Sequence, residues 1–339
     1  MGFTGYINSD SGVTDNMCWG LEDLGVPERF AKAVNAGTDL IADTNNVDDL
    51  LTAVENNWIS AERLTQACRR LLEEMFTLGI FDDRTYVDAA GADAAVAASP
   101  GWSLAEEMHR KSVTVLKNHD ATLPLASGTK VFVEVFHKNP ERSAALTDDA
   151  RRQASENGAL TLVDAPESAD ALLLFLDPQS GDYFNATPGL LELCVCEDKP
   201  LTALDGSSYT ETTVSGLGRF RELCEQARQR GAAVVASVNV SLPWIVDDIE
   251  PLADALLAGY STFYSAQYDV LTGAFTPAGR LPLSLSASDA VIAADENGRC
   301  VSPNDVPGFA KDEYMPEGMT YAYVDADGNA YRLGHGLTY

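Results

Sequence analysis

A chain of 339 residues that is 45% hydrophobic is long enough for two domains, each with its own core, and is neither a disordered nor a fibrous sequence. Fifty-one acidic against 23 basic side chains give a formal charge of −28, which repels nucleic acid and anionic lipid and suits a neutral or cationic small substrate. No apolar run reaches the roughly 18 residues of a membrane-spanning helix, and the residues after Met1 lack the basic start and apolar stretch of an export signal, so a cytoplasmic setting is expected.

The first stretch, GFTGYINSDSG, predicts a buried strand from Phe3 to Ile7 that ends in Ser9, Asp10, Ser11 and Gly12, leaving an acid at its tip. Val26-Pro27 followed by ERFAKAVNAG predicts a helix with Phe30, Val34 and Ala33 on one face and Gly37 just past its end. TDLIAD predicts a second strand, Thr38 to Ala42, flanked by Asp39 and Asp43. Strand, helix and strand in this order form a parallel crossover unit, and acids at the tips of such strands are where active sites are built. Asn46 caps a further predicted helix carrying Val47, Leu50, Leu51 and Val54. Ser60 caps the clearest one, in which Leu64, Ala67, Cys68, Leu71, Leu72, Met75 and Phe76 fall at helical spacing and Gly79 closes the run.

Between Asp82 and Gly101 the composition turns small and acidic, as in a linker, so the expected organisation is 1–81, a linker at 82–100, and a second domain at 101–339. WSLAEEMHRKSVTVLKN reads as an amphipathic helix running into a strand. Four apolar runs follow, VFVEVF, ALLLFL, AAVVASVNV and ADALLAGY, separated by helical stretches such as FRELCEQARQRG. Near-continuous apolar strands alternating with helices predict an α/β fold with a mainly parallel sheet covered on both faces. YAYVDADGNAYRLG predicts a terminal hairpin around Asp-Gly.

Other motifs are fragmentary. Cys194 and Cys196 are one residue apart, the six cysteines are too sparse for a disulfide framework, and the four histidines show no metal-ligand spacing. SGLGRF lacks the third glycine of a dinucleotide loop, and DADGN lacks the later glycine and acid of a calcium loop. Asn239, in the acceptor pattern NVS, falls within an apolar strand.

GFTGYINSDSG, WGLE, VPERFAKAVNAGTDLIAD, LLEEMFTLGIF, HRKSVTVLKNHDATLPL, PAGRLPLSLS and YRLGHGLTY, in that order, resemble glycoside hydrolase family 3, whose members join a (β/α)8-type barrel to an α/β sandwich. The resemblance runs nearly end to end but covers the family's later part, so a partial barrel of the last two strand-helix units followed by the sandwich is expected. It implies a retaining β-glycosidase, β-glucosidase-like, with Asp10 as nucleophile and an acid/base on the sandwich segment after ALLLFL. That segment offers Glu211 and Glu192 as acid/base candidates, with Glu197, Asp177 and Asp182 beside them, none in the family's usual surroundings. Ser11 replaces the aromatic residue common after the aspartate; Trp19 could supply a sugar-stacking wall, and Asp39 a further substrate contact. Lys117-Asn118 resembles a motif that ties the domains together. No metal or organic cofactor is implied, and the partner is a carbohydrate with a terminal β-linked sugar. The first six barrel strands, which in the family carry a Lys-His pair that binds sugar hydroxyls, have no counterpart here, so half of a split enzyme, a fragment or a decayed gene is expected. The unpaired edge of the first strand predicts a homo-oligomer or a partner chain. The alternative is a non-catalytic interaction subunit.

Overall fold

The computed structural model describes residues 2–14, 20–21, 23–82, 88–180, 192–202, 207–292, 311–315 and 317–339. The chain divides into two compact units, Met1–Ala98 and Ser99–Tyr339.

In the first unit, β1 (Asn8–Ser11) pairs in parallel with β2 (Leu40–Ala42), and α1 (Val26–Ala36) forms the crossover between them. The strand lies downstream of the predicted Phe3–Ile7, and those residues are not a buried strand: Phe3 is 68% exposed and Ile7 45%. Register explains the shift. The Ile7 carbonyl accepts the amides of both Asp39 and Leu40, so ladder pairing begins at Asn8↔Leu40 and continues to Ser11↔Ala42. Asp10 therefore sits inside the strand, not beyond its end.

Helix α1 starts where Glu28 Oε2 accepts the Gly25 amide and ends at Gly37, whose φ of 117° no side-chain-bearing residue adopts readily. Its buried face is Phe30, Ala31 and Val34, with Ala31 in place of the expected Ala33. Helix α2 (Val47–Glu55) is capped by Asn46, and α3 (Ala61–Thr77) by Ser60, whose Oγ accepts the Arg63 amide at 3.1 Å. Ala31, Val34, Ala53 and Ile59 form the core of this unit. Much of the predicted α3 stripe lies outside it: Leu72, Met75 and Phe76 are exposed, with Leu78, Ile80 and Phe81 just beyond. The expected linker contains a helix, α4 (Ala89–Ala97), because alanine is the strongest helix former and Asp88 accepts the Gly91 amide at its start.

The second unit opens with α5 (Gly101–Ser112) and β3 (Thr114–Asn118). Its sheet comprises β4 (Lys130–His137), β5 (Thr161–Leu162), β6 (Ala171–Asp177), β9 (Ala233–Asn239) and β10 (Ala255–Gly259) beside β3. Among the described residues the order is β3-β10-β9-β6-β4-β5, parallel except where β3 runs against β10. The intervening β7 (Lys199–Thr202) and β8 (Ser208–Glu211) form a separate antiparallel pair.

Helices α6 (Pro140–Asn157) and α8 (Tyr264–Leu271) cover one sheet face and α7 (Leu217–Arg230) the other. The alternation of β6 shows how one apolar run serves both: Ala171, Leu173 and Phe175 join the α6/α8 core, while Leu172, Leu174 and Leu176 join the α7 core. The chain leaves β4 into α6 on one face and reaches α7 from β6 on the other, which makes the ends of these adjacent strands a topological switch point.

The PAGRLPL and GHG motifs are sites of close backbone approach. A Cβ on Gly279 would lie 2.3 Å from the Val113 carbonyl oxygen, and one on Gly336 would lie 2.3 Å from that of Gly279. The terminal hairpin is brief, a bridge between Val324 and Ala330 closed by Asp325 accepting the Asn329 amide.

Candidate functional site

Asp10 is an exposed carboxylate on β1. Its Oδ1 accepts the Ser11 amide at 2.8 Å, and among the described residues it has no cationic partner. Ser9 fixes the backbone beneath it: the hydroxyl donates to the Asp10 carbonyl at 2.7 Å and accepts the Ala42 amide of β2 at 2.9 Å. The result is an aspartate on a braced strand, with an oxygen left free to act as an acceptor or nucleophile.

Asp39, the other expected strand-tip acid, has its carboxylate engaged by protein groups. It precedes β2, at the end of the strand opposite to that where βα-barrel sites form, and its side chain is fully covered. It accepts from Ile7 N at 3.0 Å, Arg63 Nη2 at 2.8 Å and Arg70 Nη1 at 3.1 Å. Burial alone would raise its pKa, but the Ile7 amide and the two guanidinium groups outweigh it and hold the carboxyl below its usual value. Asp39 thus joins β1, β2 and α3.

The sandwich acids are spread over three settings. Glu211, an expected acid/base candidate, is buried at the end of β8 and bonded to Lys138 Nζ at 2.8 Å. Glu192 accepts the Cys194 amide at 2.7 Å and lies 3.1 Å from Lys199 Nζ. Glu197 caps α7, accepting the amides of Gly216 at 2.7 Å and Leu217 at 2.9 Å, which is a structural task. Asp177 ends β6 and accepts from Asn239 Nδ2 at 2.7 Å. Asp182 and Trp19 lie outside the described residues. The residues that organise these acids, Lys138, Lys199 and Asn239, were not singled out as their partners from the sequence. Lys138 and Glu211 are 73 positions apart, and no local signal links them.

Around Lys199 the oxygens of Glu192 and Asp289 and the sulfur of Cys194 are close enough to share a cation. That place is held by the lysine: its Nζ lies 2.7 Å from Asp289 Oδ2 and 3.0 Å from Cys194 Sγ. Burial works against its charge, but Asp289, Cys194 and Glu192 prevail and raise its pKa. Burial likewise pushes the Cys194 thiol far up, away from the thiolate a metal would need. Lys117, expected to tie the domains, pairs inside the second unit, with Nζ 2.6 Å from Glu250 Oε1.

Residues 113–339 match the model of the glycosyl hydrolase family 3 C-terminal domain. The chain is 26% identical over 357 residues to the probable β-glucosidase C of Aspergillus oryzae, covering 100% of this chain and 46% of that protein. With the periplasmic β-glucosidase/β-xylosidase of Dickeya chrysanthemi it shares 30% identity over 245 residues, 70% of this chain and 35% of that protein. The β-glucosidase of Listeria innocua in complex with glucose has a similar fold, with a TM-score of 0.60 at 20% identity over 99% of this chain and 47% of that one. The chain spans about half the length of the first curated relatives it matches. With the family model matched over two-thirds of its residues and the parallel sheet of the sandwich in place, the chain belongs to glycosyl hydrolase family 3.

Proposed function

We propose that this chain acts in the hydrolysis of a terminal β-linked sugar with retention of configuration, with Asp10 as nucleophile. The observation that carries the reading is the Ser9-Asp10 pair on β1: a carboxylate with no cation on it among the described residues, on a strand braced by the Ser9 hydroxyl, at the family's motif position. Asp10 attacks the anomeric carbon while an acid protonates the departing glycosidic oxygen, giving a glycosyl ester on Asp10. The conjugate base of that acid then takes a proton from water, which displaces Asp10. The acid/base role falls to Glu211 or Glu192, each in the segment that follows β6. A neutral sugar is also compatible with a net charge of −28, which would repel an anionic polymer.

The test is hydrolysis of 4-nitrophenyl β-glucoside and β-xyloside. Asp10→Asn should lower kcat/KM by about 1,000-fold or more with the fold intact. Glu211→Ala and Glu192→Ala separate the acid/base candidates, since azide rescues only the variant lacking the true one. An Asp10→Asn protein of unchanged activity refutes the assignment. The second reading, a non-catalytic interaction subunit, is favoured by the exposed Phe76, Leu78, Ile80 and Phe81. A wild-type chain that binds a protein partner and hydrolyses neither substrate would support it.

A further inference from the structure

We infer that Asn157 is a site of spontaneous modification: its side-chain amide is lost as ammonia after attack by the Gly158 backbone nitrogen, leaving aspartate or isoaspartate at the junction of α6 and β5. Asn157 is the last residue of α6, and Gly158 follows it in the left-handed region at a φ of 73°. Among the described residues no other asparagine precedes a glycine; Asn297 does, outside them. The attacking nitrogen needs a clear path to the side-chain carbon, and glycine alone offers it with no Cβ in the way.

The local fold favours the reaction. The Gly158 amide, which gives up its proton to attack, has no hydrogen-bond acceptor among the described residues. The corresponding amides after α1, α2, α3, α4, α7 and α8 are each bonded to a carbonyl of the preceding turn. Gly158 is exposed and Asn157 half-buried, so water reaches the pair. The Ala159 amide lies 3.4 Å from Asn157 Oδ1, where it draws electron density from the carbon under attack. The brake is Asp269 on α8: its Oδ1 accepts from Asn157 Nδ2 at 3.2 Å, so the side chain turns onto the backbone when this bond opens, as the ends of helices do most readily.

Gly158 N bonds to Asn157 Cγ as the Cγ–Nδ2 bond breaks, and ammonia departs with the proton that the glycine amide gave up. Water then opens the cyclic imide. Breaking the new Cγ–N bond restores the backbone with aspartate, whereas breaking the original peptide bond leaves isoaspartate, with the chain routed through the side chain. The sum takes up water and releases ammonia, and nothing is oxidised or reduced. Either product replaces the donor to Asp269 with an anion, while Asp269 keeps Arg110 Nε at 2.7 Å. The bond between α6 and α8 is lost. The segment that follows leads into β5, whose Thr161 amide donates to the Thr129 carbonyl at 2.9 Å, so modified chains open first at this edge of the sheet. Neither step involves Asp10.

The experiment is incubation of the full chain in mildly alkaline buffer made with heavy-oxygen water, beside the same chain unfolded in urea, with the peptide containing Asn157 followed by mass spectrometry. Asn157 should convert with uptake of heavy oxygen, isoaspartate being the larger product, at a rate within about tenfold of that in urea. Gly158→Ala should slow the conversion by about tenfold or more, because a Cβ shields the nitrogen. Asp269→Ala should speed it by about fivefold by removing the brake. In the converted protein, hydrogen exchange should rise at 159–163 and stay unchanged in β6 and β9. A folded-state rate more than about 100-fold below that in urea, an unchanged rate in Gly158→Ala, or converted protein with unchanged exchange at 159–163 would each overturn the proposal.

Discussion

Replacing Asp39 with alanine distinguishes a structural carboxylate from a substrate contact. The carboxylate accepts one backbone amide and two guanidinium groups and has no exposed side-chain surface. Arg63 would not be stranded by its loss, because its Nε and Nη2 also donate to the carbonyls of Val34 and Thr38 at 2.8 and 2.9 Å. Arg70, partly exposed, would turn to water. Counting about 1 kcal/mol for each of the three lost interactions gives roughly 3 kcal/mol, below the cost of orphaning a fully buried charge. For a unit whose core is Ala31, Val34, Ala53 and Ile59, that is a large part of its stability. Hydrogen exchange read by mass spectrometry on peptides covering 2–14 and 38–46 reports it directly, since opening this pair exposes the amides of Asp39 and Leu40. The prediction is loss of protection there, with the sheet of the second unit unchanged. Unchanged exchange in Asp39→Ala, accompanied by loss of sugar binding, would refute the structural reasoning.

The same carboxylate sets a pH response. Its folded pKa is held below the unfolded value, so the unfolded state binds the proton more readily; the stabilisation is present above about pH 4 and is lost as pH falls through the folded pKa, which exchange at acid pH will register first at 38–42. Phe220→Ala should cost about 3–5 kcal/mol, because this fully buried ring packs edge-on to Phe136 at 5.6 Å; urea unfolding followed by Trp244 fluorescence measures it. Glu197→Ala should cost about 1 kcal/mol by freeing the first amides of α7, visible as faster exchange at 216–220. The exposed apolar side chains from Leu72 to Phe81 predict self-association or partner binding; light scattering should show concentration-dependent mass that falls in Phe76→Ser, Phe81→Ser.

The central strands of the sandwich could be read from the sequence because each is buried on both faces, and a run such as ALLLFL has few other uses. The starts of α2 and α3 were legible for a local reason, a capping Asn46 or Ser60 at the right place. Where pairing partners decide, local reading failed. Phe3 to Ile7 has the composition of a strand, but the bonds from Asp39 and Leu40 to Ile7 move the ladder to the polar Asn8–Ser11. The small residues of 89–97 pointed to a linker on composition, whereas their alanines and the Asp88 cap favour a helix. The candidate site followed the same division. Asp10 stood out as an acid after an apolar run, but the lysines on Glu211 and Glu192 and the Asn239 network join residues distant in sequence, which periodicity cannot bring together.

The most direct test of the account is covalent trapping with an activated 2-deoxy-2-fluoro-β-glucoside, which slows hydrolysis of a glycosyl ester once formed. Peptide mass spectrometry should place the sugar on Asp10, with no label in Asp10→Asn. A label on another residue, or an Asp10→Asn protein that turns over the substrate at the wild-type rate, would contradict it.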